Sequence, residues 1–274
     1  WAEEWAVRHT TAEASDPGPV PATVREAAWT WDPPKGVRLH HVLPTAAGAV
    51  AVLDDGVVAL DTATGEEAWH YRRPRDHVSA NVTPDKKTVV IAVRAADRGP
   101  DGADRHELLT LEAATGRIRS DITVPPESSG GTPDAAHVGV LTADTWITWT
   151  DGGSSLSARE LSTGETRWTA DTGPGCQVVT RDSSRWLQAL PDTVLLSQTC
   201  HEDAAEAGFD ALPETAEATA RITALDAGTG EPRWVHEETV PVRQGYLRIT
   251  AADHHAYFGP ERGGPGPEKS DGSV

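Results

Sequence analysis

The sequence predicts an all-β fold assembled from repeated four-stranded antiparallel units, and three observations support this class. A turn motif recurs four times, and its glycines follow one another at steps of 51, 48 and 66 residues. Runs of alternating or continuous apolar residues precede and follow each copy, as expected of strands. Apolar residues at the spacing of an amphipathic helix form no sustained pattern. Four strands in a unit of about fifty residues are typical of the blades of a β-propeller.

The four copies of the motif align without gaps. They read ALDTATGEEAW from Ala59, TLEAATGRIRS from Thr110, ARELSTGETRW from Ala158 and ALDAGTGEPRW from Ala224. The residues predicted to form docking contacts between blades are Asp61, Thr64, Gly65, Trp69, Gly116, Gly164, Trp168, Asp226, Thr229, Gly230 and Trp234. The glycine permits a positive φ, the acid and Thr can hold turn amides, and a Trp of an adjacent blade can cover the glycine.

The blades can be placed around these turns. Asp54-Asp55-Gly56 between two apolar runs indicates a hairpin in the first blade. Four blades are predicted at about 36–74, 75–124, 135–172 and 173–239. Residues 28–31 are predicted as the outermost strand of a preceding blade, and GYLRIT and HAYFG as the first two strands of a fifth. The repeat therefore predicts an incomplete propeller of about four to five blades.

The predicted domain organisation follows from the same arithmetic. It comprises an N-terminal segment, extended or linker, at 1–26, propeller blades at 27–258, and a Gly/Pro-rich loop or truncated blade at 259–274. Met is absent from the chain, so Trp1 is expected to follow a removed segment.

The repeat resembles the tryptophan-docking motif AxDxxTGxxxW of the pyrroloquinoline-quinone-type (PQQ-like) β-propellers, which occur in quinoprotein alcohol dehydrogenases and in BamB-like assembly proteins. The copies that begin at Ala59 and Ala224 match it fully. The third copy has Glu160 in place of Asp. The second has Ser120 in place of Trp, so docking there is expected to be weaker. The resemblance covers about residues 27–258.

A quinoprotein dehydrogenase, by the same resemblance, implies bound PQQ, a calcium or lanthanide ion, a catalytic carboxylate and usually a vicinal disulfide. This chain has two cysteines and no Cys-Cys pair. The insertions that build such a site are also missing. We therefore expect no cofactor and predict no catalytic, cofactor-binding or metal-ligating residue.

The charge balance limits the classes of partner. The chain has 24 Lys and Arg against 42 Asp and Glu, a net charge of −18, whereas a nucleic-acid binder needs a basic footprint. No apolar run is long enough to span a bilayer. The acidic insertion from Glu202 to Glu217 is predicted to be a solvated, mobile excursion, with an electrostatic docking loop for a basic partner as the alternative.

Cys176 and Cys200 lie 24 residues apart, each near a strand-like run. Adjacent antiparallel strands would place them within reach of a disulfide, which would indicate an oxidising, extracytoplasmic compartment. Two unrelated buried thiols are the alternative. A metal site is disfavoured because only His201 lies beside them.

Two other groups of side chains invite a functional interpretation. His40 and His41 lie on a predicted innermost strand, where one would face the channel, but no second ligand accompanies them, so a structural role is favoured. Trp146 and Trp149 have the odd spacing that sends them to opposite faces of one strand. A core role is favoured for both, with an exposed interaction anchor as the alternative.

These observations predict a non-enzymatic, extracytoplasmic β-propeller, secreted or membrane-anchored, that acts as a protein-interaction scaffold or a ligand-sensing module. Its partners would be a protein or small ligand at the propeller loops. Two alternatives stay open: a fragment of a PQQ-dependent dehydrogenase, and the sensor ectodomain of a membrane receptor kinase. Twenty of the 24 basic residues are Arg, which indicates a GC-rich, actinobacterium-like source.

Overall fold

The computed structural model describes residues 7–14, 29–96, 106–124, 140–150, 155–177, 187–213, 215–242, 247–252 and 255–260. Most of these residues belong to antiparallel strands, and the described helices are one turn at Ala204–Ala207 and a 3-10 turn at Phe209–Ala211. The all-β prediction is therefore confirmed.

Blade 1 consists of β1 (Arg8–His9), β2 (Leu39–Thr45), β3 (Gly48–Leu53), β4 (Gly56–Leu60) and β5 (Glu67–Arg72). The strands lie in the order β1-β5-β4-β3-β2. The four strands β2 to β5 form the predicted meander. The added β1 comes from the predicted N-terminal segment, which places part of that segment in the sheet.

The next three blades also follow the repeat. Blade 2 consists of β6 (His77–Val82), β7 (Thr88–Arg94), β8 (His106–Glu112) and β9 (Ile118–Val124). Blade 3 consists of β10 (Val140–Leu141), β11 (Thr145–Thr150), β12 (Ser155–Glu160) and β13 (Thr166–Asp171). Blade 4 consists of β14 (Cys176–Gln177), β15 (Leu187–Ala189), β16 (Thr193–Cys200), β17 (Glu217–Asp226) and β18 (Pro232–Pro241).

A further hairpin follows blade 4. It pairs β19 (Leu247–Ala252) with β20 (His255–Pro260), where the sequence predicts the first two strands of a fifth blade. The predicted strand at residues 28–31 is different, because the described part, from Trp29, is not in a strand. Trp29 and Trp31 instead pack as side chains against Leu53, Val58 and Leu60 of blade 1.

The core lies between successive blades because alternate residues of each strand point to opposite faces of the sheet. Val89 and Ile91 join a cluster shared with blade 1, whereas Val90 between them joins a cluster shared with blade 3. Ile147 and Leu196 belong to the cluster between blades 3 and 4. Each blade therefore buries both faces, which explains the continuous apolar runs of its central strands.

One irregularity recurs at the same place in the four blades. In blade 1, Ala59 pairs with Trp69 but Leu60 pairs with Glu67, so Ala68 is an extra, bulged residue. The same register shift follows Thr110, Ala158 and Ala224 in the other blades. Because a bulge twists its strand locally, it fixes the direction of the docking residue that comes next.

The blades have two differently constructed ends. The end that we call the turn face carries the motif turns at 61–66, 112–117, 160–165 and 226–231. The opposite end, the loop face, carries the turn at Asp54 and Asp55, the blade connection at 73–76 and the insertion at 201–216. The motif turns and the acidic insertion therefore lie at opposite ends of the blades.

Candidate interaction surface

The motif turns are built by their own side chains. The Oδ1 atom of Asp61 accepts the amides of Ala63 at 2.8 Å and Thr64 at 3.0 Å. The Gly65 amide donates to the Asp61 carbonyl oxygen at 2.8 Å, and Gly65 has a φ of +74°. The hydrogen bonds from the Thr64 and Ala63 amides hold the pKa of Asp61 below its ordinary value. The turn therefore requires the carboxylate and a residue that tolerates positive φ.

In the other copies of the turn, the hydrogen bonds that the carboxylate accepts depend on whether it belongs to Asp or Glu. Asp226 accepts the amides of Gly228 and Thr229, as Asp61 does in its own turn. Glu112 is one methylene longer and instead accepts the hydroxyl of Thr115 at 2.8 Å. That hydrogen bond lowers the pKa of Glu112. Glu160 and Thr163 form the same contact in blade 3 at 3.1 Å.

Indole rings cover three of the four motif glycines. A Cβ atom added to Gly65 would lie 2.5 Å from Cδ2 of Trp29, and one added to Gly116 would lie 2.6 Å from Cδ2 of Trp69. The indole N–H of Trp69 also donates to the carbonyl oxygen of Ala113 at 3.0 Å. Each glycine thus leaves the space into which a ring from the preceding segment packs.

Trp168 makes the corresponding contact with blade 4. Its Cδ2 atom lies 2.6 Å from the position of a Cβ on Gly230, and its N–H donates to the Ala227 carbonyl oxygen at 2.9 Å. Gly164 is covered by Ile122 rather than by an indole. Trp234 on β18 is 43% exposed. The remaining predicted residue, Thr229, donates its hydroxyl to Asp226 at 3.3 Å.

The disulfide lies on the loop face. Cys176 and Cys200 are directly opposite on β14 and β16, with an S–S distance of 2.02 Å and a Cα–Cα distance of 4.0 Å. The insertion leaves the blade at the next residue, where the His201 amide donates to the Gly175 carbonyl oxygen at 2.9 Å. The bond therefore joins the two strands at the base of the insertion.

The acidic insertion has structure of its own. It forms the helical turn Ala204–Ala207 and the 3-10 turn Phe209–Ala211, and Leu212 is 7% exposed. Glu202, Asp203 and Glu206 are exposed. Most described residues of the insertion are exposed, as expected of a solvated excursion, but Leu212 is buried and the insertion starts from a cross-linked base.

A charged network on the same face connects blades 1 and 2. Arg72 donates two hydrogen bonds to the carboxylate of Asp55, at 2.8 and 2.6 Å. Arg73 contacts Asp76 at 2.5 Å and also pairs with Glu107 of blade 2. Burial alone would lower the pKa of Arg73, but the hydrogen bond and charge of Glu107 and the charge of Asp76 raise it. The side chains of this network are mostly buried and each has an opposite charge beside it, which favours a structural role.

The remaining candidate residues also have packing or surface roles. His40 lies at the bulge of β2, and its Nε2 atom is 2.7 Å from Oδ1 of Asp54. His41 is exposed. Trp146 is buried towards blade 2, and Trp149 packs towards blade 4, which agrees with their predicted opposite faces.

The described part of the chain contains no group of three or more His, Cys, Asp or Glu side chains that could hold a metal ion. Within the same residues, no helix is long and apolar enough to cross a membrane.

A family model described as outer membrane protein assembly factor BamB matches residues 54–251. No curated protein sequence matches significantly. Among solved structures, BamB from Moraxella catarrhalis is 19% identical, with 82% of this chain and 60% of that chain covered and a TM-score of 0.48. This chain therefore spans 60% of the length of that BamB.

Enzymes are also among the similar structures. Quinohemoprotein alcohol dehydrogenase from Comamonas testosteroni is 18% identical, with 77% of this chain and 38% of that chain covered and a TM-score of 0.38. For puromycin hydrolase the identity is 16%, the coverage 82% and 34%, and the TM-score 0.44.

Proposed function

This chain belongs to the family of the outer membrane protein assembly factor BamB, and we propose that it is a non-enzymatic β-propeller that acts as a protein-interaction scaffold outside the cytoplasm. The partner protein binds at the loop face. The observation that carries the proposal is the insertion at 201–213, an acidic element with two short helical turns that is held at its base by a disulfide. A partner with a basic surface complements that element and the chain's net charge of −18.

The location outside the cytoplasm is supported by the disulfide, because structural disulfides persist in oxidising compartments and are rare in the cytosol. Fractionation of the source cells, with thiol alkylation before and after reduction, tests it. We expect the native chain outside the cytoplasm, with Cys176 and Cys200 alkylated only after reduction. Native chain in the cytosol with both thiols free would contradict the location.

The scaffold role is tested with a photo-crosslinking amino acid at Glu206, on the exposed surface of the insertion. We expect a discrete cross-linked protein in intact cells, identified by mass spectrometry. The matched control carries the same amino acid at Ala63, which is exposed on the turn face. Equal adducts at both positions, or none at Glu206, would contradict a partner at the loop face.

The non-enzymatic assignment has a direct test. The full-length protein is incubated with PQQ and Ca²⁺, separated from free quinone, and examined by absorbance and mass spectrometry. We expect no quinone in the protein fraction. Stoichiometric bound quinone together with alcohol oxidation would contradict the non-enzymatic function and identify the protein as a dehydrogenase.

A further inference from the structure

The outer edge of blade 1 holds an extended peptide segment from the same chain. Arg8 pairs with Arg72 and His9 with Tyr71 in antiparallel register. The pairing continues past β1, where the Thr10 amide donates to the His70 carbonyl oxygen at 3.0 Å and the His70 amide donates to the Thr10 hydroxyl at 3.0 Å. The segment therefore uses the main-chain edge of β5 as strand addition does.

The same segment also reaches the motif turn of blade 2. The Ala12 amide donates to the Thr115 carbonyl oxygen at 2.9 Å, and Nε2 of His9 donates to the Gly116 carbonyl oxygen at 2.8 Å. The His9 ring meets the Tyr71 ring edge-on at a centroid distance of 5.7 Å. Ala12 is partly buried against the core between blades 1 and 2. These contacts define positions for specific side chains as well as for an extended backbone.

We propose that the edge of β5, together with the blade 2 motif turn, is a binding site for an extended, basic peptide strand of a partner protein. Residues 8–12 occupy this site as a tethered ligand. That the natural strand comes from a partner protein rests on the proposed scaffold function. The existence of the binding site does not, and binding of a synthetic peptide therefore tests the site independently of that function.

The contacts specify the chemistry of the ligand. The backbone must be extended, with a free amide at the position of Thr10. A small side chain is needed at the position of Ala12, because that residue packs against the core. Residues 7–12, VRHTTA, carry Arg and His and no acid, which suits a chain of net charge −18. A second copy of the chain is disfavoured as the source because it carries the same net negative charge.

The linker to residues 8–12 determines how strongly this segment competes with a partner strand for the edge of β5. Fourteen residues, from Ser15 to Ala28, connect the segment to Trp29, and an extended chain of that length reaches about 45 Å. A tethered ligand acts at an effective concentration in the millimolar range. A partner strand therefore binds measurably when the tethered strand is weakened or when a second contact supports the partner.

The test uses the full chain and a fluorescent peptide of residues 7–12, VRHTTA, which excludes Glu13. The variant Thr10→Pro removes the amide that donates to His70 and the hydroxyl that accepts from it, which opens the site. Fluorescence anisotropy is expected to show saturable binding to this variant, with an apparent affinity at least about tenfold higher than for the unsubstituted chain. Thermal melting and Trp emission verify that both proteins are folded. Equal anisotropy curves for the two folded proteins would overturn the proposal.

Two control peptides separate strand addition from charge attraction. A peptide with Pro at the position of Thr10 keeps the charge but is expected not to bind. A peptide with Pro at the position of Thr11 is expected to bind, because no hydrogen bond between described residues uses the Thr11 amide. Equal binding of both control peptides would show attraction without strand addition and overturn the site.

A covalent capture keeps the proposal testable if Thr10→Pro fails to fold. A peptide whose Cys at the position of Thr10 is activated as a mixed disulfide is mixed with the His70→Cys chain, in which the new thiol faces that position and displaces the activating thiol. A disulfide adduct is expected with this chain and not with the exposed-turn control Ala63→Cys. Absence of the adduct at millimolar peptide would overturn the site. A covalent dimer between His70→Cys and Thr10→Cys chains would assign the strand to a second copy and overturn the partner assignment.

Discussion

The hydroxyl of Ser120 donates a hydrogen bond to the carbonyl oxygen of Leu161 at 2.7 Å. Leu161 lies three residues before Gly164, the same offset at which Trp69 and Trp168 find their carbonyl acceptors. Two residues after Ser120, the Ile122 side chain covers the glycine, with Cδ1 3.1 Å from the position of an added Cβ. Two small side chains therefore make the polar and the apolar contact that one indole makes elsewhere.

The first prediction concerns this substitute contact. Ser120→Ala leaves the Leu161 carbonyl and the Thr110 hydroxyl without their buried partner, since the Thr110 and Ser120 hydroxyls are 2.6 Å apart. We expect a loss of about 2 kcal/mol in the free energy of unfolding, measured in urea. The control Ser162→Ala removes an exposed hydroxyl that hydrogen bonds to Glu160, and it should cost under about 0.5 kcal/mol. Equal losses of stability for Ser120→Ala and its control would contradict the role of Ser120 as the polar substitute for the missing Trp.

A second prediction separates indole packing from backbone strain. Gly116 and Gly36 both have positive φ, +70° and +82°, but only Gly116 has a ring against it. Gly36→Ala is expected to cost about 1 kcal/mol from φ alone. Gly116→Ala should cost about 2 kcal/mol more, because Trp69 must be displaced. Gly65→Val and Gly230→Val are expected to be strongly destabilising for the same reason. Matching melting temperatures for Gly116→Ala and Gly36→Ala would exclude a stabilising role for docking.

The third prediction concerns the disulfide. Replacing Cys176 and Cys200 by Ser removes a cross-link with a sequence separation of 24 residues. By loop-closure entropy this should lower the free energy of unfolding by about 3 kcal/mol. Amide exchange should also accelerate at 201–212, beyond the cross-linked base. The reduced, unsubstituted chain is the matched comparison, and a stability equal to that of the oxidised protein would contradict the prediction.

The fourth prediction follows from the carboxylates of the motif turns. Hydrogen bonding depresses the pKa of Asp61 in the folded state below its ordinary value of 3.8. This contribution to stability is therefore present above that value and is lost as the pH falls through the depressed pKa. Asp61→Asn can still accept hydrogen bonds but does not titrate. Urea unfolding between pH 6 and pH 2 should show that the free energy of unfolding decreases less on acidification for this variant than for the unsubstituted chain. Identical acid profiles would contradict the role of the Asp61 charge.

Much of the fold was predictable because the repeat encodes each turn locally. Asp61, Thr64 and Gly65 lie within five residues and build their turn through bonds to one another. The blade limits follow from the same turns, and the observed strands of blade 2, from His77 to Val124, lie within the predicted 75–124. Local chemistry of this kind can be read before any tertiary contact is known.

The sequence by itself therefore determined the all-β class, the blade repeat and the residues of the four motif turns. Only the tertiary structure decided the replacement of the missing Trp by Ser120 and Ile122, the pairing of Cys176 with Cys200, and the docking of residues 8–12 on the edge of β5. The physical reason is separation along the chain: His9 contacts Gly116 across 107 residues, and no local pattern records which distant edge or carbonyl will meet a short polar segment. Packing of blade 1 against blade 2 brings these groups together.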